Sequence, residues 1–357
     1  MFQLLLMDGA RPRPNICVTA VSDSSGGISV SATCTCTSGL PLSKILSWKQ
    51  AGNRLSDFVN QDSDSEIIHH VDTMQMVKAV AKPSDIVLDA TPVNLTDGGV
   101  GLACCRWAAQ QGVHLVLANK APLVLGYREL LHSSQQFPVS RLEFSGTVCG
   151  GLPVVNVGKR DLASTSRLDS VQGIFNSTSN YILSRMANGE DPADALAHAR
   201  SVGIAEADAS LDLQGYDTAN KLVIICNAVL DIPAKLCDVD REGMTHLTLS
   251  DVKEAAKSGQ VYRLVATAER IENEIEICDN DVDTEEEKRM RICSRFKLSV
   301  RPTLVPSDSF FGQCVDTDMS VVFISDEFET ISMKTNEKGV FPTAAAMLRD
   351  CCSILKV

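Results

Sequence analysis

Four carboxylates and one lysine crowd a short stretch of this chain. Residues 199–221 read ARSVGIAEADASLDLQGYDTANK, which sets Glu206, Asp208, Asp212 and Asp217 ahead of a single lysine, Lys221. Asp217 and Lys221 are four residues apart, so on a helix they share a face. On an exposed surface such a pair contributes only ~0.3–0.5 kcal/mol. Here the same predicted helix carries Leu222, Val223, Ile225 and Cys226, so much of it is expected to be buried. Carboxylates gathered this closely repel one another unless a cation or a helix dipole compensates. A substrate ammonium would do so. A lysine among them is a candidate proton donor and acceptor, with a pKa set by those surroundings.

Other chemically active residue types have plainer readings. Cys149 sits in the turn TVCGGLPV (residues 147–154), but a thiol nucleophile of the phosphorylating semialdehyde dehydrogenase kind needs a histidine partner, and none adjoins it in sequence. Alone, Gly150-Gly151 reads as a tight strand-to-helix turn. The thirteen cysteines are odd in number and several lie in apolar runs, which favours reduced thiols and a cytoplasmic location over a disulfide frame. Cys34-Thr35-Cys36 and Cys104-Cys105 lack the spacing of a zinc site. The sequon Asn176-Ser177-Thr178 has meaning only in a secreted chain. The acidic run at residues 279–288 reads as a solvated hairpin loop.

The elements that must position the cluster follow from periodicity. Residues 16–23, 85–90 (DIVLDA) and 114–118 (HLVLA) are short apolar strands, with a helix expected over 100–111. Short buried strands alternating with helices indicate a parallel sheet covered on both faces. Ligands collect at the carboxyl ends of such strands, where Asp23, Thr91, Asn94, Asn119 and Lys120 fall. Further on, helices are expected over 152–162 and 179–188, around a strand at 170–175. Asp191-Pro192 supplies a cap and a first-turn proline for a helix over 192–202, and another should run over 215–229. Strands over 261–271, 291–306, 319–324 and 330–334 suggest an antiparallel sheet, and 342–355 a final helix. The expected class is α/β, a Rossmann-like parallel-sheet domain (residues 1–146 with 337–357) with an inserted α+β catalytic and dimerisation domain (147–336).

With these blocks in place, the sequence resembles the homoserine dehydrogenases. Ala199, Gly203, Glu206, Asp208, Asp212, Gly215, Asp217 and Lys221 match their signature, D-x-x-G-x-D-x-x-x-K with its acidic approach. GIFNSTSNYILSRM (173–186) resembles their G-I-x-N-G-T-x-N-Y-I-L segment, TVCGGLPV their T-V-x-G-G-x-P turn, and LANK (117–120) their A-N-K strand end. The PTA run at 342–344 with Asp350 resembles their last helix. The resemblance covers roughly residues 15–357. It implies an NAD- or NADP-dependent oxidoreductase that interconverts L-homoserine and L-aspartate 4-semialdehyde, in threonine, methionine and isoleucine biosynthesis. It assigns Lys221 as acid/base, with Lys120 as a second lysine near cofactor and substrate. It assigns Glu206, Asp212 and Asp217 to the substrate ammonium, and places Thr178 and Gly173 along the substrate pocket. Thr91, Asn119, Lys120 and Gly339 fall to the cofactor, and Asp23 to its ribose, a lean toward NAD. The backbone carbonyls of Val148, Gly150 and Leu152, with Ser145 beside them, would hold a monovalent cation such as Na+.

The sequence departs from that pattern where the cofactor would bind. No G-x-G-x-x-G precedes residues 16–23. If that segment is the family's second strand, the first strand and its phosphate loop are lacking. Ser177 replaces a glycine, Ala209 a proline, and only Gly339 remains of a glycine-rich turn. A non-catalytic homologue that keeps the substrate pocket, acting as a binding or heteromeric subunit, is the alternative reading. A net charge of −12 argues against nucleic acid or an anionic membrane surface as partner. No apolar run approaches the ~20 residues of a membrane span. The expected partners are a small-molecule substrate and a second copy of the chain. No aspartokinase or regulatory segment is read in the sequence.

Overall fold

A computed structural model of the chain describes residues 16–31, 39–60, 67–137, 140–271 and 284–356. They divide into two compact units, Met1–Phe144 with Thr343–Val357, and Ser145–Pro342. Residues 337–342, Gly339 among them, therefore fall in the second unit.

The first unit opens with an antiparallel sheet of β1 (Ala20–Asp23), β2 (Gly26–Val30) and β3 (Ile67–His70), in that order. Helix α1 (Leu42–Gln50) closes it, with Ile28, Leu40, Ile45, Leu55 and Phe58 as its core. This corrects the expectation that residues 16–23 form a parallel strand. The cause is the turn Ser24-Ser25. Asp23 accepts hydrogen bonds from the Ser25 backbone N–H at 2.7 Å and its hydroxyl at 2.6 Å, and the chain reverses into β2.

A three-stranded parallel sheet follows: β4 (Ile86–Asp89), β5 (His114–Leu117) and β6 (Leu142–Glu143). Between these strands run α3 (Gly99–Gln110) and α4 (Ala121–Gln135), after α2 (Thr73–Val80), whose first turn Asp72 caps. Side chains alternate across the strands. Val87 packs with Met76, Val77 and Cys104 on one side. Ile86 and Val116 meet Met347, Cys351 and Ile354 of the C-terminal helix on the other. The α/β class holds, although the parallel sheet is small.

The second unit is built on a six-stranded sheet. Its strands are β7 (Leu168–Ile174), β8 (Asp240–Arg241), β9 (Gln260–Arg270), β10 (Phe296–Pro306), β11 (Asp318–Ser325) and β12 (Glu329–Asn336), in the order β12-β11-β7-β9-β10-β8. All pairs are antiparallel except β8 with β10. Its helices are α5 (Val154–Asn156, extended by a π-helical turn, Val157–Leu162), α6 (Ser177–Ala187), α7 (Pro192–Ser201), α8 (Ser210–Leu213), α9 (Tyr216–Ala228), α10 (Leu249–Lys257) and α11 (Glu285–Cys293). Helix α12 (Phe341–Leu355) ends the chain. Helix α9 is buried from Thr218 through Ala228, as expected of a helix apolar on most of its surface.

Helix α11 corrects two expectations. The acidic run was expected to be a solvated loop; its first residues lie outside those described, but Glu285–Lys288 are helical. Thr284 and Glu287 form a reciprocal capping box that starts the helix. Because this helix runs to Cys293, the strand expected from residue 291 begins at Phe296.

Candidate active site

Strand β7 ends at Ile174, and the next residues deliver the chain to the centre of the site. The Phe175 carbonyl accepts a hydrogen bond from Lys221 Nζ at 2.5 Å. On its other side Lys221 Nζ lies 2.8 Å from Asp217 Oδ2. The side chain is buried, 9% exposed, so its charge must be compensated to persist. Burial pushes the ammonium toward neutrality. The negative charge of Asp217, then the electrostatic influence of Cys149, the hydrogen bond to Asp217, and the charge of Asp212 outweigh burial, and the pKa stands above that of an ordinary lysine. Two of the three ammonium donors thus have partners, and one is left for a substrate oxygen.

Asp212 joins the cluster through Asn176. The Asn176 side-chain nitrogen donates to Asp212 Oδ1 at 2.7 Å and to Asp217 Oδ2 at 2.9 Å. Both acids are half-buried. Asp217 also lies in the first turn of α9, where the helix dipole favours an anion.

The other two acids do not join this group. Asp208 is exposed and accepts from the N–H of Ser210, the first residue of α8, at 2.9 Å. Its pKa is lowered by Ser210, hydroxyl and backbone together. Glu206 is exposed on the loop between α7 and α8. Thr178 ties the start of that loop to α6, its hydroxyl donating to the Ile204 carbonyl at 3.1 Å. The convergence of four acids expected from the sequence is therefore a convergence of two, bridged by an amide.

Gly173 lies inside the sheet. A Cβ there would sit 2.1 Å from the Phe175 ring and 2.5 Å from the Ser320 carbonyl. Its place is a packing position beneath Phe175.

The glycine turn borders the same centre. Cys149 is buried, takes a left-handed conformation (φ 55°), and turns its thiol toward the Phe175 carbonyl at 3.9 Å. Lys221 is a charged neighbour of this thiol. Gly150 is also left-handed (φ 60°). The Gly151 N–H donates to both oxygens of Glu337 at 3.0 Å, and a Cβ at Gly151 would collide with one of them at 2.7 Å. The Leu152 carbonyl accepts from the Val154 N–H at 2.8 Å. Gly339 is exposed in a turn with φ 70° and touches nothing at its Cβ position.

In the first unit, buried Asp89 organises the carboxyl ends of β4 and β5. It accepts from the Thr91 N–H and hydroxyl at 2.9 and 2.7 Å and from the Asn119 amide at 3.2 Å, while Asn119 Oδ1 caps the Ala121 N–H at 3.0 Å. Thr91 and Asn119 therefore spend their side chains on shaping the strand ends. Half-exposed Lys120 stands beside them at the start of α4. This rim suits the nicotinamide end of a dinucleotide at the carboxyl edge of a parallel sheet.

Asp23 is not part of that rim. It lies in the β1–β2 hairpin and is ion-paired to Lys49 at 2.6 Å. Partial burial works to raise its pKa, but Lys49 and Ser25 outweigh this and hold it low. The strand that carries Asp23 runs in an antiparallel sheet, not at the carboxyl edge of a parallel one.

Asn176 and Glu337 were not singled out from sequence as site residues. Asn176 stands between a strand and a helix with Ser179 three residues on, a capping signal visible in the sequence. Its contacts with two acids far along the chain are not visible there. Glu337 gave no signal.

Comparison with known proteins agrees with this geometry. The model of the homoserine dehydrogenase family matches residues 153–352. An NAD(+)-dependent homoserine dehydrogenase of Pseudomonas canavaninivorans is 31% identical over 271 residues, 76% of this chain and 71% of that protein. The homoserine dehydrogenase of Methanocaldococcus jannaschii is 29% identical over 94% of this chain and 88% of its own. The crystal structure of homoserine dehydrogenase from Thermoplasma acidophilum superposes with a TM-score of 0.70 at 25% identity, covering 96% of this chain and 90% of that one. The matched region contains β7, the Asn176 cap and the whole of α9, and by that match the chain belongs to the homoserine dehydrogenase family.

Proposed function

We propose that the chain interconverts L-homoserine and L-aspartate 4-semialdehyde with NAD. The reading rests on one observation, a buried lysine ammonium held between Asp217 and the Phe175 carbonyl with a second acid beside it. Thr91, Asn119 and Lys120 would hold the NAD, which would supply the hydride-transfer chemistry. The chain's own residues do the rest. Lys221 hands a proton to the C4 oxygen as semialdehyde becomes alcohol, and takes it back in the other direction. Asp212 and Asp217 face the substrate's amino group, and Glu206 adds a third carboxylate from its exposed loop. Lys120 supplies a positive charge on the cofactor side.

The NAD preference is supported by the P. canavaninivorans relative and no longer by Asp23. The carbonyls of Val148, Gly150 and Leu152 are hard oxygen donors suited to Na+, and replacing sodium by choline in the assay tests whether a cation is needed there. A homodimer through the strand-rich part of the second unit completes the reading. The test of function is NADH formation by the purified chain with NAD+ and homoserine, with serine and threonine as controls. Homoserine-dependent NADH is the expected result. NADH binding without any such turnover would instead favour the non-catalytic reading.

A further inference from the structure

We propose that Asn176 is a positioning residue of the reaction, its side-chain amide holding the Asp212 and Asp217 carboxylates side by side against Lys221. The proposal rests on the reading of Lys221 as acid/base.

Three contacts fix the amide. Its oxygen accepts from the Ser179 N–H at 2.8 Å, capping α6, while its nitrogen donates one hydrogen to each acid. The reversed amide would aim a carbonyl oxygen at two carboxylates and an NH2 at an N–H, so chemistry settles its orientation. Asn176 is 5% exposed, and the Ser179 hydroxyl donates to its backbone carbonyl at 3.1 Å. The side chain is therefore fixed to the helix at one end and to both acids at the other.

The residue type matters. Two carboxylates that share one nitrogen neighbour repel each other, and without compensation one would take up a proton. A lysine or arginine would neutralise them and compete with a substrate ammonium. A serine could serve only one. An amide offers two donors and no charge, so both acids stay anionic, near each other and available.

The amide also acts on the lysine. Asp217 Oδ2 accepts from Asn176 and pairs with Lys221 through the same oxygen. Donation from Asn176 weakens the hold of that oxygen on the ammonium. The groups facing Lys221 are Asp217 on its own helix, Asp212 from α8, Cys149 from the glycine turn and the Phe175 carbonyl after β7. Loss of the amide therefore leaves a lysine that gives up its proton less readily, and homoserine oxidation should need a higher pH.

The test compares Asn176→Ser and Asn176→Asp with the parent chain and with Lys221→Ala. Serine and aspartate cap helices about as well as asparagine, so a residue that only caps would be replaced without consequence. For Asn176→Ser we expect a similar melting temperature, an alkaline shift of about one pH unit in the rising limb of homoserine oxidation, and a homoserine KM raised about tenfold. Asn176→Asp, which adds a third negative charge, should shift the limb at least as far. An unmoved limb and KM in both variants, with Lys221→Ala inactive, would overturn the proposal and leave the Lys221 reading standing. Loss of folding in both would equally overturn it, by making Asn176 structural. An active Lys221→Ala would remove the reading of the lysine itself.

Discussion

Burial works to lower the pKa of Lys221, and the surrounding anions outweigh it and leave the pKa raised. The sign of the net shift fixes the pH behaviour. With its pKa above the ordinary lysine value, Lys221 is charged at neutral pH and ready to donate, which suits reduction of the semialdehyde. Oxidation of homoserine needs the neutral amine, so kcat/KM for oxidation should climb through the alkaline range while that for reduction falls. Asp217→Asn removes the largest compensating charge and lets burial prevail, so the oxidation limb should move to lower pH. A limb that stays in place would place the titrating group elsewhere. At this scale the sequence was partly legible. The four-residue spacing of Asp217 and Lys221 was enough to pair them, because helix geometry alone brings them together. The roles of Asp208 and Asn176 were not legible. Asp208 turns to the Ser210 N–H two residues on, and Asn176 bridges acids 36 and 41 residues further along the chain.

Among the elements, β7 is the anvil on which the site is set. It is paired on both sides, to β11 and β9, and it hands over directly to the Phe175 carbonyl and the Asn176 cap. Gly173 lets the Phe175 ring fold back against the strand. Gly173→Ala should cost about 1–3 kcal/mol through overpacking, read as a fall of several degrees in the melting temperature. It should also lower kcat by displacing the carbonyl that holds Lys221. A variant as stable and active as the parent would show that the ring can move aside at no cost. Helices α6, α7 and α9 and strands β9 and β11 could be read from the sequence, because caps, proline and long apolar periodicities are local signals. The β1–β2 hairpin was misread because strand polarity is set by the partner, although the two-residue turn before Gly26 was there to be seen. The capping box of α11 was hidden by its charge run, which suggested a loop.

At the scale of the whole molecule the chain forms two compact units: the carboxyl ends of β4 and β5 lie in the first, and Lys221, Asp212 and Asp217 in the second. The switch from short buried strands to long alternating ones is a local signal that sequence periodicity carries. The nucleotide side was the hardest to read, because its familiar glycine signal is missing and β1 to β3 stand in an antiparallel sheet. The proposed homodimer predicts a solution mass of twice the monomer by light scattering, and a monomer at assay concentration would contradict it. The central claim is that Lys221 moves the proton of an amino-acid alcohol. Its most direct test is a single-turnover measurement of NADH formation from homoserine and NAD+ in the parent chain and in Lys221→Ala, with NADH affinity measured on both. The account predicts a loss of about 10²–10⁴-fold in the chemical step with NADH affinity nearly unchanged. A Lys221→Ala chain that turns homoserine over at the parent rate would contradict it.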